Sequence, residues 1–414
     1  MFKNVLETKR CRLCDSKKIW PFLNLGRIPV SNELSRKRGK ELYPILKILV
    51  CKNCWHVQSG SVPISKNVYK KNYSYHTRFS STINEHFKKN AKKIVKKFKI
   101  KSDDLIIDIG GNDGTFLSHF NNINNKIKTL CVEPTIETSN YAKKKGINVL
   151  QKFFNFKNSN LIKKKYGLPK VILCTNSFGN IDNLNEFIRG IHNICDNNTI
   201  FIFENPYLID TLNGLQFDTM YYEHVSYFSI TPLVKFFKKH RMEIINYEKT
   251  KVHGGSIMVY VKKSRTQKKI NKKIKNILIL EKKFGLDKIL TYKKFSKKVE
   301  KVKIKINKIV DNILKAGNSI IAYGASDRGI VLLNYTKIDD KKLNYIVDKN
   351  PHKLGNYYSG TGMKIFNVDK IIKDKPNYIF LTAWNFKSEI ISYLKSVGLK
   401  SKYIIPLKNP RIVK

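Results

Sequence analysis

No run of apolar residues in this 414-residue chain approaches the ~18 that would cross a bilayer. A membrane partner is therefore not expected. The opening stretch MFKNVLETKR has no apolar core segment, so a secretory signal is not expected either. Cysteine is scarce and odd in number, at seven, which argues against a disulfide framework and for a reducing, cytoplasmic setting. Acidic residues are the most conspicuous shortage. Asp and Glu number 31 against 80 Lys and Arg, a net charge of +49 that attracts any polyanion. The basic residues run the whole length without the aromatic interleaving of a stacking platform, so nucleic acid is disfavoured as a partner. The charge is read as lysine-rich composition on solvated surfaces together with an anionic nucleotide-sugar substrate, with nucleic acid the lesser alternative. The phosphate-binding spacing GxGxxG is also missing, so a dinucleotide is not the favoured ligand.

What is present is the composition of a globular enzyme, 42% hydrophobic and 11% aromatic, long enough for two to four domains. The stretch Leu105–Leu117, LIIDIGGNDGTFL, organises the chain. Its short apolar run bounded by glycines predicts a strand buried on both faces, then a tight turn into a helix. A second apolar strand, Thr129–Val132, ends in Glu133-Pro134, where a carboxylate can accept hydrogen bonds from two ribose hydroxyls. An acidic residue, Asp108, ahead of the glycine turn suits a cation, and S-adenosylmethionine (SAM) carries an amino group and a sulfonium. SAM is the favoured ligand, with another nucleotide or a purely structural turn as alternatives.

Cys11-x-x-Cys14 and Cys51-x-x-Cys54 can together close a tetrahedral, structural Zn2+ site, although 36 residues separate the pairs. A redox dithiol is the lesser alternative, because no thioredoxin-like pattern surrounds them. Strands are predicted over 105–109, 128–132, 148–150, 170–175 and 199–204, with helices near 115–121, 138–145, 157–165, 184–194 and 231–240. This alternation implies a parallel sheet with ligands outside its carboxyl strand ends, where Asn176 and Glu204-Asn205-Pro206-Tyr207 fall. Late antiparallel strands are expected over 243–249 and 256–262. Lys263–Lys315 reads as basic helix, with Val299, Val302, Ile306, Val310 and Ile313 marking one buried face. A second, smaller α/β unit begins at Ser319. The segment Val68–Phe87 is either an aromatic surface helix start or a flap over the pocket. Phe217–Ser229, FDTMYYEHVSYFS, packs Asp218, Tyr221, Tyr222, Glu223 and His224 together. It reads as a general base with supporting groups, or as a satisfied structural network.

These motifs together resemble the three-domain SAM-dependent sugar C-methyltransferases of deoxysugar biosynthesis. The resemblance runs through both CxxC pairs, Gly26-x-x-Pro29-x-x-Asn32, Tyr73-x-Tyr75, Gly110-x-Asn112-Asp113-Gly114-Thr115 and Val132-Glu133-Pro134. It continues through Phe217-Asp218-Thr219, Tyr221-x-Glu223-His224, His253-Gly254-Gly255-Ser256, Tyr323-Gly324-Ala325-Ser326, Asp348-x-Asn350-Pro351 and Trp384-Asn385-Phe386. It implies an α/β chain with a zinc-binding module over 1–70 and a central Rossmann-like class I methyltransferase domain over 71–262. A basic helical linker over 263–316 and a smaller α/β domain over 317–414 would follow, enclosing a nucleotide-diphosphate 4-keto sugar. A monomer is expected.

By the same resemblance Tyr75, Tyr221, Glu223 and His224 match the active site. The C4 carbonyl acidifies an adjacent hydrogen, His224 removes it under the orientation of Glu223, and Tyr221 with Tyr75 donates to the enolate oxygen. Asp108 and Asp113 would line the methionine end of SAM and Glu133 its ribose, with Gly110, Asn112 and Asn176 completing the cofactor site. Three positions depart from the family pattern. Asn180 stands where the family has histidine, Tyr222 replaces the first histidine of Tyr-His-Glu-His, and Thr77-Arg78 replaces a serine pair. Arg78 would contact a phosphate or lie in solvent. The rivals are an RNA methyltransferase, suggested by the charge, and a zinc scaffold with an inactive SAM fold.

Overall fold

The computed structural model describes residues 5–30, 34, 43–64, 68–69, 76–264 and 270–414. Tyr73, Tyr75 and Asn32 lie outside the described residues.

The central sheet contains β1 (Leu105–Ile109), β2 (Lys128–Val132), β3 (Asn148–Leu150), β4 (Val171–Thr175), β5 (Ile200–Pro206), β6 (Met242–Thr250) and β7 (Ser256–Lys263). Their spatial order is β6-β7-β5-β4-β1-β2-β3, and β7 runs antiparallel to both its neighbours. Alternation along β1 explains why the sheet is covered twice. Ile106 joins one core with Phe87, Phe116 and Phe120, while Ile107 and Ile109 join the other with Phe178, Phe187 and Phe203. The helices Ser81–Phe98 and Thr115–Ile123 cover the first face, and Leu184–Ile194 lies on the second.

Before it, Ile19–Arg27, Ile45–Cys51 and Val57–Ser59 form an antiparallel sheet. Its fourth strand is Ser226–Tyr227, from far along the chain, paired with Val57 and Gln58. The amide of Ser59 donates to the Val225 carbonyl at 3.0 Å, extending the seam.

The basic stretch is two helices, Lys272–Phe284 and Ile289–Lys315, broken at Gly285 in the left-handed region. All five apolar residues singled out on the second helix are buried. The first contributes Glu281, whose carboxylate accepts from the amides of Ile230 and Thr231, both at 2.7 Å, and from the Tyr207 hydroxyl at 3.0 Å. It thereby caps the helix Ile230–Lys239 from outside. A six-stranded sheet, parallel except for its last strand, Arg411–Val413, completes the chain. Among the described residues no helix is long and apolar enough to cross a membrane.

Candidate active site and cysteine centre

A cavity of about 380 Å³ opens at the carboxyl ends of β1, β2 and β4. Gly110, Asn112, Glu133, Pro134, Asn176, Ser177 and Asn180 line it, with Tyr69, Thr77 and Phe87 from the segment before the sheet. Gly110 has φ +71°, and a Cβ there would meet the Ser177 side chain at 2.4 Å, so this turn tolerates only glycine. Asn112 and Asn176 also adopt left-handed backbone, with φ of 51° and 56°. Such strain outside glycine gathers where a fold presents groups to a ligand. Glu133 is held by its own turn. Its Oε2 accepts from the Asn112 amide at 3.0 Å and its Oε1 from the Thr135 amide at 2.9 Å. Burial lifts its carboxyl above the usual range, while these donors pull it down. Burial, and then Glu133, pushes Asp108 up to about 7, and its Oδ1 has no hydrogen-bond partner. The chamber thus offers glycine-lined backbone and the Glu133 carboxylate, with the buried Asp108 carboxyl on the residue next to the lining Ile109, a donor set that fits SAM.

Three residues expected at the cavity do not line it, the first being Asp108, buried on β1 beside the lining Ile109. Asp113 does not line it. Its Oδ1 accepts from the Thr115 hydroxyl at 2.6 Å and its Oδ2 from the Arg78 amide at 2.9 Å, so it holds the helix start and the incoming segment together. Glu204 is also turned inward, bonded to His86 Nε2 at 2.8 Å and to the Thr250 hydroxyl at 2.6 Å. Arg78 is half-buried and does not lie in open solvent. Its guanidinium sits 3.5 Å from the Tyr141 ring centroid.

The segment Phe217–Ser229 forms a network of fixed polarity. His224 Nδ1 lies 2.9 Å from the Thr219 carbonyl, which can only accept, so Nδ1 carries the proton of the neutral ring. Nε2 is then the lone-pair nitrogen, and it accepts the Tyr221 hydroxyl at 2.7 Å, with the two ring centroids 3.9 Å apart. Burial pushes His224 down to about 4, with His253 and Arg328 adding to the effect. Both His224 nitrogens are taken by Thr219 and Tyr221, so orientation comes from them and not from Glu223. Glu223 is buried and acts electrostatically on Tyr69 of the cavity wall. Tyr222, the family-histidine replacement, is wholly buried and donates to the Pro44 carbonyl at 2.9 Å. Asn180 donates to the Tyr69 hydroxyl at 3.2 Å.

Sequence reasoning gave no role to two groups, one of which, His253, it quoted only as part of a motif. His253, at φ 53°, brings a buried Nε2 without a hydrogen-bond partner toward His224. Arg328 grips Asp218 with two nitrogens at 2.8 and 2.9 Å, and Trp384 Nε1 donates to the same carboxylate at 2.7 Å. Arg328 also reaches Gln216 Oε1 and the His253 carbonyl, each at 3.2 Å. The motifs Tyr323–Ser326 and Trp384–Phe386 flag both regions, but the partner across the chain is invisible in them.

The four cysteines converge as expected. Cys11 Sγ lies 3.5 Å from Cys54 Sγ, and Cys14 Sγ lies 3.6 Å from Cys51 Sγ. All four sulfurs fall within 4.8 Å of one another, close to the edge lengths of a ZnS4 tetrahedron. The Asn53 amide points at Cys51 Sγ from 3.4 Å, a donor that steadies a thiolate. Bonding to Cys51, then burial, pushes Cys11 up to about 12, and a dication reverses that by taking the negative charge. The set fits structural zinc and leaves no open position.

Residues 11–69 match a zinc binding domain family, residues 82–245 a methyltransferase domain family, and residues 251–407 a C-methyltransferase C-terminal domain family. C-methyltransferase NovU of Streptomyces niveus is 26% identical over 411 residues, covering 97% of this chain and 96% of that protein. Among solved structures, a SAM-dependent methyltransferase from Clostridium acetobutylicum ATCC 824 is 14% identical with TM-score 0.34, over 44% of this chain and 92% of its own. The plantazolicin methyltransferase BpumL, solved with a desmethylPZN analog and SAH, is also 14% identical, with TM-score 0.37 over 45% of this chain and 87% of its own. With the three modules matched in order and one C-methyltransferase aligned almost end to end, the chain belongs to the three-domain SAM-dependent C-methyltransferases.

Proposed function

We propose that this C-methyltransferase acts on a nucleotide-linked 4-keto deoxysugar, through an enolate formed by the Tyr221–His224 pair. The observation that carries this reading is the polarity of the pair: the Thr219 carbonyl fixes Nδ1–H, so the lone pair of Nε2 faces the Tyr221 hydroxyl. A ketone acidifies the hydrogen on its neighbouring carbon. The Tyr221 oxygen takes that proton as its own passes to His224 Nε2, leaving an enolate on the sugar and an imidazolium on His224. Low basicity in the resting site keeps His224 neutral and ready. The negative charge of a diphosphate sugar and of the enolate then raises its affinity for the proton. SAM, when bound, would supply the electrophilic methyl group: as the enolate carbon bonds to it, its bond to sulfur would break and leave the neutral thioether S-adenosylhomocysteine. Asp108, from just outside the cavity lining, is assigned to the cationic end of SAM, and Glu133 would accept from its ribose, with Gly110, Asn112 and Asn176 shaping the wall. Asp113 acts behind the wall by holding the glycine turn. Tyr75 belongs to the segment leading into Thr77 and is assigned a hydrogen bond to the enolate oxygen. Zinc remains structural, and the module boundaries near residues 70, 262 and 316 belong to the same reading.

Incubation with methyl-labelled SAM and a panel of nucleotide-linked 4-ketohexoses tests the assignment. Label should appear on a carbon beside the ketone. Transfer to none of the panel, with transfer to another class of ketone or to RNA, would overturn the substrate.

A further inference from the structure

Outside the active site and the cysteine centre, one cluster joins three distant parts of the chain. His76 enters from the segment before the central sheet, and Glu137 from the first turn of the helix Ile136–Lys144. His352 comes from the C-terminal unit, just after Asn350-Pro351. His76 Nε2 and His352 Nε2 approach the same oxygen, Oε1 of Glu137, at 3.6 and 3.5 Å. The three candidate donor atoms lie within 4.8 Å of one another. The His76 side chain is fully buried, at 0% exposure, yet neither of its nitrogens has a hydrogen-bond partner. Phe79 and Tyr141 pack edge-on against its ring, with centroids 5.6 and 5.7 Å away. Burying two unpartnered ring nitrogens is costly unless something satisfies them.

We propose that His76, Glu137 and His352 bind a divalent transition-metal ion of the zinc class, which clamps the C-terminal unit onto the methyltransferase domain. Two imidazoles and one carboxylate are a donor set such ions accept, and the carboxylate offsets part of the charge. Donor atoms around tetrahedral zinc stand roughly 3.3 Å apart, so the cluster must tighten modestly. His352, 42% exposed, has the freedom to swing in against the buried His76. Glu137 is already close to both. An anion is the poorer occupant, because the central group of the cluster is a carboxylate. The position gives the clamp a purpose. Thr77, beside His76, lines the cavity, as does Pro134, three residues before Glu137. The ion would therefore fix the cavity wall and the C-terminal unit together, whatever substrate is methylated.

Zinc content and cobalt spectra of the full-length chain, stripped of metal and then titrated, test the clamp. Two ions per chain are expected. The first should show the intense sulfur-to-cobalt bands of the four-cysteine centre, and the second a weaker spectrum without them. His352→Ala and Glu137→Gln should each abolish the second phase, weakening it at least ~100-fold, beyond what loss of an outer-shell partner usually causes. Both should leave the cysteine bands unchanged, which reports intact folding of that module. The second equivalent of zinc should also raise the unfolding temperature of the wild type and not of His352→Ala. Saturation at one equivalent with sulfur bands only, or a second ion retained by His352→Ala, would overturn the site.

Discussion

A histidine already bonded on both sides cannot reach a substrate carbon without displacing a partner, and this decides how His224 is tested. If the proton travels through Tyr221, both Tyr221→Phe and His224→Asn should lose methyl transfer by the ~10²–10⁴-fold of a missing general base, while still binding SAM. With SAM replaced by its demethylated product, the wild type should exchange the sugar's α-hydrogen with deuterated solvent and neither variant should. Exchange by Tyr221→Phe at the wild-type rate would eliminate the relay and return the role to His224 alone. Asp108 makes a second prediction at this scale. Its carboxyl is raised to about 7, so near neutral pH much of it is protonated before ligand arrives. A cation stabilises the ionised form and lowers that value, so binding releases a proton. SAM affinity should rise with pH through about 7 and weaken below it, with a proton released that calorimetry in two buffers detects. Asp108→Asn should bind more weakly and without this pH dependence, and an unchanged pH profile would move the cation elsewhere. Glu133 and Gly110 were legible because a strand end and a glycine turn have few other uses. Asp113 was not, since a buried acid two residues before a threonine satisfies the helix start as readily as a ligand. His253 stood in a quoted motif without a role, because a left-handed histidine in a glycine loop carries no periodic signal.

At the scale of elements, the central sheet was readable almost residue by residue. β1, β2 and β3 span the predicted ranges, and the helix Leu184–Ile194 does as well, because apolar runs bounded by glycine or asparagine are local signals. The two-residue strand Ser226–Tyr227 was not readable, since its partner stands about 170 residues away and pairing of that range leaves no mark in the chain. Yet this strand ties the cysteine centre to the proposed catalytic pair. Cys51 ends one strand, the next strand pairs with Ser226–Tyr227, and Tyr221 and His224 immediately precede it. His56, just beyond Cys54, adds a contact from Nε2 to the Ser226 hydroxyl at 3.2 Å. Cys51→Ser with Cys54→Ser should therefore abolish zinc at the four-cysteine centre and destabilise the N-terminal sheet. It should also cut kcat through misplacement of the Tyr221–His224 pair, with SAM affinity nearly unchanged, because the cavity draws none of its walls from that sheet. Metal analysis beside a binding titration checks this, and full activity in the zinc-free protein would sever the link.

For the whole molecule, the charge and the contacts between units pull in opposite directions. A net +49 makes the compact state repel itself, and buried carboxylates that pair between units oppose that repulsion. Asp218 is the strongest case: its side chain is fully buried, and Arg328 and Trp384 reach it from the C-terminal unit. The planar fork of arginine meets both oxygens at once, a geometry lysine cannot reproduce. Asp218 lies three residues before Tyr221, so the same grip that docks the C-terminal unit also steadies the segment proposed to be catalytic. Removing the guanidinium leaves a buried carboxylate without its counterion, at a cost of about 3–5 kcal/mol. Arg328→Ala should accordingly lose most of that stability in denaturant titration, and Arg328→Lys should recover little of it. The loss should persist at high salt, because screening reaches exposed lysines and not a buried pair. Should Arg328→Ala unfold at the wild-type midpoint, Asp218 would have to be neutral or otherwise paired, and the coupling between docking and catalysis would fall with it.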